Sequence, residues 1–233
     1  MNPESKSGSD FDVRIQHPNE NPLALRAKNG VRYTIRLWDR IKRFEQAVWE
    51  DPANLINELV VDNLTTLQGL QAIQTCYLAG AGGPIPAYGG AWFQPLFVGL
   101  INATGFVAVN YVDTAQKITT SAPSFPTTNN WQELTTYSGG VRQAMGALNI
   151  VAGSNATVAS TFGTPPTFVA SGSGNIQGAF LIAGPSGAGG GNTQGPNSAG
   201  IVLISEAAAP GAPLAFTTGQ TITVSLTITE TSA

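Results

Sequence analysis

The most regular stretch of the chain lies near its C-terminus, where Ile222, Val224, Leu226 and Ile228 alternate with Thr221, Thr223, Ser225, Thr227 and Thr229. A side-chain period of two puts one set on each face of an extended backbone, so the pattern predicts a strand with one buried face. The same alternation runs through Val31, Tyr33, Ile35 and Leu37, with Arg32, Thr34 and Arg36 between them, and predicts a second such strand. Beyond it the period is ambiguous. Leu37, Ile41, Phe44 and Val48 recur at helical spacing up to Asp51-Pro52, yet residues 38–50 also suit the return strand of a hairpin. Asp51-Pro52 fits either a helix start, with Pro in the first turn, or a turn. A clearer helix is predicted over about 66–78, capped by Thr65 or Thr66, carrying Leu67, Leu70, Ile73 and Tyr77 on one face and ending at Gly80.

Past residue 90 the pattern is almost wholly β. Apolar runs of strand length occur at Phe106 to Val112, Leu148 to Ala152, Phe168 to Ala170, Ala179 to Ala183 and Ile201 to Ser205, separated by Gly, Pro, Asn and Ser. Short strands at such spacing predict a mainly β fold, an antiparallel β-sandwich or jelly-roll-like body, rather than a parallel α/β sheet. Ala91 to Val112 is apolar overall, but Gln94, Pro95, Gly99, Asn102, Gly105 and Asn110 interrupt it, so two short strands are expected there and no membrane span. The glycine-rich stretch Gly184 to Gly200 predicts a flexible, exposed loop. Breaks at Gly80 to Pro84 and at Gly89-Gly90 suggest three parts: a flexible arm over 1–22, a small α/β attachment module over 23–83, and the β body over 84–233. Met1 to Glu20 is polar throughout and shows no targeting segment.

Charge sharpens this division. Only 11% of the 233 residues are charged, against about 25% in an ordinary soluble domain. Residues 1–62 hold 9 of the 11 basic and 10 of the 14 acidic residues, which leaves 2 basic and 4 acidic side chains for the remaining 171. Within the charged part, Arg26, Lys28, Arg32, Arg36 and Arg40, followed by Lys42 and Arg43, form a basic cluster. It suits the wet face of local structure, balanced by Asp39, Glu45, Glu50 and Asp51, or a docking surface for an acidic protein partner. A net charge of −3 and a pI near 5.1 argue against a nucleic-acid partner.

The same composition removes several chemistries. A single His and a single Cys make neither a Cys/His metal site nor an internal disulfide, and no cofactor is expected. His17 sits in the polar arm, a poor place for the base of a catalytic triad. Gly184-Pro185-Ser186-Gly187-Ala188-Gly189-Gly190 has the glycines of a phosphate-binding loop, but Gly190 stands where its lysine belongs. Asp113 and Glu133 are two of the four carboxylates after residue 62 and would suit a glycosidase pair, although Arg142 is the simpler partner for one of them. Trp92, Phe93, Trp131 and Tyr137 suit a sugar-binding platform or, more simply, a core. No enzymatic activity is expected from this set.

Several short motifs taken in order carry a resemblance. Asn63-Leu64-Thr65-Thr66 with Gly69-Leu70, Phe97-Val98-Gly99-Leu100-Ile101, Asp113-Thr114, Asn130-Trp131-Gln132-Glu133 with Tyr137 and Arg142, Gly178-Ala179-Phe180-Leu181-Ile182, and Gly219-Gln220-Thr221-Ile222-Thr223-Val224 are similar to a family of tailed-bacteriophage virion proteins. The resemblance implies a β-sandwich structural protein on the capsid surface, most plausibly a decoration or cement protein, with no catalytic residues to carry over. Its implied partners are the major capsid protein, met through the N-terminal region with Arg26, Lys28, Arg32, Arg36 and Arg40, and further copies of the chain itself, a trimer being favoured. The chain would be made in the host cytoplasm and end in the virion. A second reading places it on the tail or neck as a fibre or receptor-binding component, with Ser186, Asn192 and Gln194 as exposed loop contacts to a host glycan or surface protein.

Overall fold

The structure is a computed structural model that describes residues 30–38, 55–62, 64–78, 95–121, 128–145, 148–151, 157–162, 165–209 and 211–231. In chain order its strands are β1 (Gly30–Trp38), β2 (Leu55–Asp62), β3 (Leu64–Thr65), β4 (Leu96–Asn102), β5 (Gln132–Glu133), β6 (Gln143–Ala144) and β7 (Leu148–Val151). They continue with β8 (Thr157–Phe162), β9 (Thr167–Val169), β10 (Gly174–Ala183), β11 (Val202–Ala208), β12 (Leu214–Phe216) and β13 (Thr221–Thr231). One helix, α1 (Leu67–Leu78), follows β3, and a 3-10 turn spans Ala115–Lys117. All the strand pairs are antiparallel, so the expected mainly β, antiparallel fold is what forms.

The strands build two sheets. The first runs β2-β1-β13-β8-β7, with β9 also on β13; the second runs β3-β11-β10-β4-β5, with β12 on β10 and β6 on β4. The two alternating segments of the sequence are direct neighbours: Tyr33 lies opposite Leu226, Ile35 opposite Val224 and Leu37 opposite Ile222. These six side chains are buried and meet Val98, Leu100, Ala179 and Leu181 of the second sheet in one cluster. The sheets therefore pack face to face, and the Tyr33 hydroxyl and Ser205 Oγ, 2.5 Å apart, join them across the core. The attachment module expected over 23–83 shares both sheets and this core, because β1 and β2 stand beside β13 and β3 stands beside β11.

The second sheet is covered on its other face as well. Phe97, Ile101, Phe180, Ile182 and Leu203 point away from the first sheet into a second cluster with Ala115, Ile118, Trp131 and Ile201. Irregular stretches at 103–121, 128–131 and 184–201 supply that cover. A strand buried on both faces needs no polar alternation, which is why Ala179 to Ala183 and Phe97 to Ile101 are continuous apolar runs in the sequence. Where β4 and β10 pair, Gly99 lies opposite Phe180 and leaves room for its ring, which a Cβ at 99 would enter.

α1 forms as expected, and Thr66 is its cap: Thr66 Oγ1 accepts the Gly69 amide at 3.0 Å and donates to the Leu203 carbonyl. The helix start closes the flank of β11. Thr66 N donates to the Ile204 carbonyl (3.2 Å), Gln68 Oε1 accepts the Leu203 amide (2.8 Å), and Gly69 packs so closely on Ile204 that any side chain there would overlap its carbonyl. Gly80 lies outside the described residues, as do residues 1–22 and 39–50, where the arm and the helix or hairpin alternative were expected.

Three expectations need correction. Phe106 to Val112 is not a strand, so Ala91 to Val112 holds one strand, β4, followed by a loop. Phe106 and Val109 turn inward three residues apart, and Val107 is 70% exposed, so the run does not alternate in a sheet. β2 was not expected at all. Its outward Ile56 and Val60 are exposed while Asn57 shares a row with Leu59 and Val61, so its polarity runs against its facing. Gly184 to Gly200 is a loop whose tip, Pro185 to Ala188, is exposed as expected, but Gly184, Gly190, Gly191, Gly195 and Asn197 are buried and several of its amides are bonded within the protein, so it is only partly an exposed loop.

The packing of β10 against β11 sets a sharp steric limit. A Cβ on Gly178 would overlap the backbone carbonyl of Ala207, whereas one on Gly211 meets nothing within 4 Å. Gly178→Ala is expected to lower stability by about 1–3 kcal/mol, and Gly211→Ala to stay within about 0.5 kcal/mol of the parent. Urea denaturation of both variants checks this.

Candidate functional site

The few charges of the β body fold inward. Glu133 ends β5 and Arg142 immediately precedes β6, two short strands that both pair with β4, so the sheet itself brings them together. Arg142 Nε donates to Glu133 Oε1 and Arg142 Nη2 to Glu133 Oε2, each at 2.8 Å, a bidentate ion pair with both side chains fully buried. The remaining guanidinium hydrogens reach Gly191 O (3.0 Å), Asn197 Oδ1 (2.9 Å) and Gly195 O (3.0 Å), so all five donors are used. Glu133 Oε2 also accepts the Gly195 amide at 2.8 Å. The guanidinium carbon lies 5.1 Å from the centre of the Phe180 ring. The glycine-rich loop is thus wound around one buried cation, and Asn197 Nδ2 closes the winding by donating to Gly190 O.

The second polar centre holds two acids. Asp113 and Glu206 are buried and share two donors: Asn110 N reaches Asp113 Oδ2 (3.0 Å) and Glu206 Oε1 (2.8 Å), and Trp131 Nε1 reaches Asp113 Oδ2 (3.0 Å) and Glu206 Oε2 (2.9 Å). Glu206 arrives from β11, Asp113 from the loop after β4, and Trp131 from the start of β5, stacked against Phe180 at 5.1 Å. Loss of solvation raises both carboxyls above their ordinary range, Glu206 well above it because the Asp113 charge adds to the effect.

The expected sites divide accordingly. Glu133 belongs to Arg142, and Asp113 pairs with Glu206 instead of Glu133, so the proposed carboxylate pair is not brought together. Trp131 and Tyr137 are core residues, with Tyr137 edge-on to Phe168 at 4.9 Å; Trp92 and Phe93 lie outside the described residues. Of the basic cluster, Arg26, Lys28 and Arg40 also lie outside, Arg32 is placed only as a backbone position in β1, and Arg36 pairs with Glu58 at the surface at 2.6 Å. Ser186 is exposed. Asn192 and Gln194 are half-buried: Asn192 Oδ1 accepts the Gly187 amide (2.8 Å) within the loop, and Gln194 Nε2 lies 3.5 Å from Leu134 O.

Sequence reasoning missed Glu206 and Asn197. Glu206 had a visible signal, a lone carboxylate in the apolar run Val202-Leu203-Ile204-Ser205-Glu206-Ala207-Ala208; Asn197 had none. Among the described residues no group of three His, Cys, Asp or Glu side chains is placed to hold a metal. An open groove of about 480 Å³ lies beside the acid pair, lined by Phe106, Val107, Ala108, Val109, Gln177, Ala208 and Gly211, with no charge on its walls.

Removing Arg142 leaves Glu133 buried and uncompensated, which costs about 3–5 kcal/mol. Arg142→Met is therefore expected to lower stability by that amount in urea denaturation and to make the 184–200 loop cleavable by protease. Arg142→Met combined with Glu133→Gln should recover part of the loss. No family model, curated protein or solved structure matches this chain.

Proposed function

We propose that this chain is a structural protein of a tailed-bacteriophage virion, a capsid decoration protein that binds the assembled shell through its N-terminal region and stabilises it. One observation carries the reading. Of the six charged side chains after residue 62, Arg142, Glu133, Asp113 and Glu206 are buried, Lys117 is exposed, and the side chain of Glu230 lies outside those described. An exterior this poor in charge resembles the core of a protein–protein interface, where charged residues are depleted.

A symmetric assembly gives such a surface a use. Copies that pack neutral β faces against one another or against the shell bury no unpaired charge, and several weak contacts acting together raise avidity by about 10² to 10⁴ over one. The charged residues 1–62 then supply attachment, with Arg36 and Glu58 at the surface of the first sheet where that region joins the body. The carboxylates considered for catalysis also fit a structural role, since the oxygens of Glu133 are filled by Arg142 and Gly195.

Counting copies per particle tests the reading. Mass spectrometry of purified virions is expected to give hundreds of copies, and a dozen or fewer would overturn it in favour of a tail or neck component touching a host glycan. Deleting residues 1–22 should lower shell occupancy about tenfold or more while leaving the β body folded. Shells without the protein should burst at lower temperature, because a ligand that binds only the intact shell stabilises it.

A further inference from the structure

The loop that leaves β4 is bonded to the second sheet at its start, where Ala103 N donates to Asn175 O (3.0 Å) and Gln132 Nε2 to Thr104 O (2.6 Å), and more sparsely beyond. Val107 N donates to Asn130 O at 2.9 Å and Tyr111 O accepts the Leu67 amide at 2.6 Å; between these, the tie to β11 is the Asn110 amide resting on the two acids. Asp113 and Glu206 are held side by side on the same pair of N–H donors, close enough for a side-chain hydrogen bond between them. Ionising both there would put like charges in contact. A single shared proton relieves that repulsion.

We propose that Asp113 and Glu206 form a proton-held latch: while they share a proton they clamp residues 106–113 against β11, and losing it releases that segment at alkaline pH. Glu206 is the proton's carrier, donating to an anionic Asp113, because Lys117 faces Asp113 and favours its charge, whereas Glu206 faces Asp113 and the neutral Tyr33 hydroxyl. Among the described side chains, the other neighbours of β11 add no competing charge. β3 and β10 carry none, the described side chains of α1 carry none, and Glu58 of β2 is held at the surface by Arg36.

The direction with pH follows from proton counting. In the open segment both acids ionise at the ordinary carboxylate value of about 4, while closed Glu206 keeps its proton far above that. The latch is at full strength below the ordinary range and weakens as pH rises, until Glu206 ionises in place. Across that window opening releases one proton, so the opening constant grows about tenfold per pH unit. Release uncovers the second cluster at Phe106, Val109 and Trp131 and widens the groove beside them. None of this depends on the chain being a virion component.

Amide hydrogen exchange on the full chain from pH 6 to 10 tests it. After correction for the intrinsic base-catalysed rate, protection of the Asn110 amide and the Trp131 indole should fall about tenfold per pH unit in the parent until Glu206 ionises in place, and level off above that. It should stay flat in Glu206→Gln, whose amide replaces the shared proton with a permanent donor. Asp113→Asn removes the charge that opposes Glu206 ionisation, so it should give a shallower slope than the parent, and it stands in should the first variant not fold. The parent alone should also show the infrared carbonyl band of a protonated buried carboxyl at neutral pH. Equal slopes in parent and variants, absence of that band, or exchange at Asn110 no faster than in β10 and β13 would each overturn the latch.

Discussion

A sheet buried on both faces has no wet side, and the second sheet of this protein is in that position. The first sheet covers one face, and residues 103–121, 128–131 and 184–201 cover the other. Irregular backbone laid over an apolar sheet loses water on its inner side, and every amide and carbonyl it buries needs a partner from the protein. A ladder partner is not on offer, because the sheet's own hydrogen bonds are already spent between its strands. The partners come from side chains with many donors or acceptors, and the body's few charged residues are the ones used.

This links the two buried polar centres to the neutral exterior. Arg142 offers five donors in a fixed fork and holds three turns of one covering loop, while Glu133 neutralises it. Glu206 and Asp113 offer acceptor oxygens and hold the other loop by the Asn110 amide and the Trp131 indole. Gln68, Gln116 and Asn129 extend the same service at the 3-10 turn, where Gln68 Oε1 takes the Ala115 amide and Asn129 grips Thr114 on both sides. What remains for the outside is Thr, Ser, Asn, Gln and scattered aliphatic side chains.

Legibility in the sequence followed the same physics. β1 and β13 were readable because each has one dry and one wet face, and a period appears only when the faces differ; α1 was readable with its Thr66 cap, although Leu67 of its expected apolar face is exposed. β10 and β11 were readable as apolar runs although not as to length, since a strand covered twice carries no alternation to mark its ends. Phe106 to Val112 misled because a covering loop needs apolar side chains as much as a strand does. β2 hid because its outward row carries Ile56 and Val60. Among the site residues, the Glu133 and Arg142 pairing was foreseeable from scarcity alone. The acid pair was not, because Glu206 and Asp113 lie 93 positions apart by residue number and meet only when β11 and the loop are both in place.

The pairing of β1 with β13 carries a consequence for synthesis. Gly30 lies opposite Thr229, and β13 is also the strand to which β8 and β9 attach. The first sheet therefore lacks its central member until the final stretch of this sequence has left the ribosome. Until then β1, β8 and β9 have no common strand to join, and the apolar side chains of β1 have no cover. Closure over such a separation is slow compared with local folding. A nascent chain of this kind keeps open edges until β13 is made, and a chain cut short before Thr221 keeps them and stays exposed to aggregation.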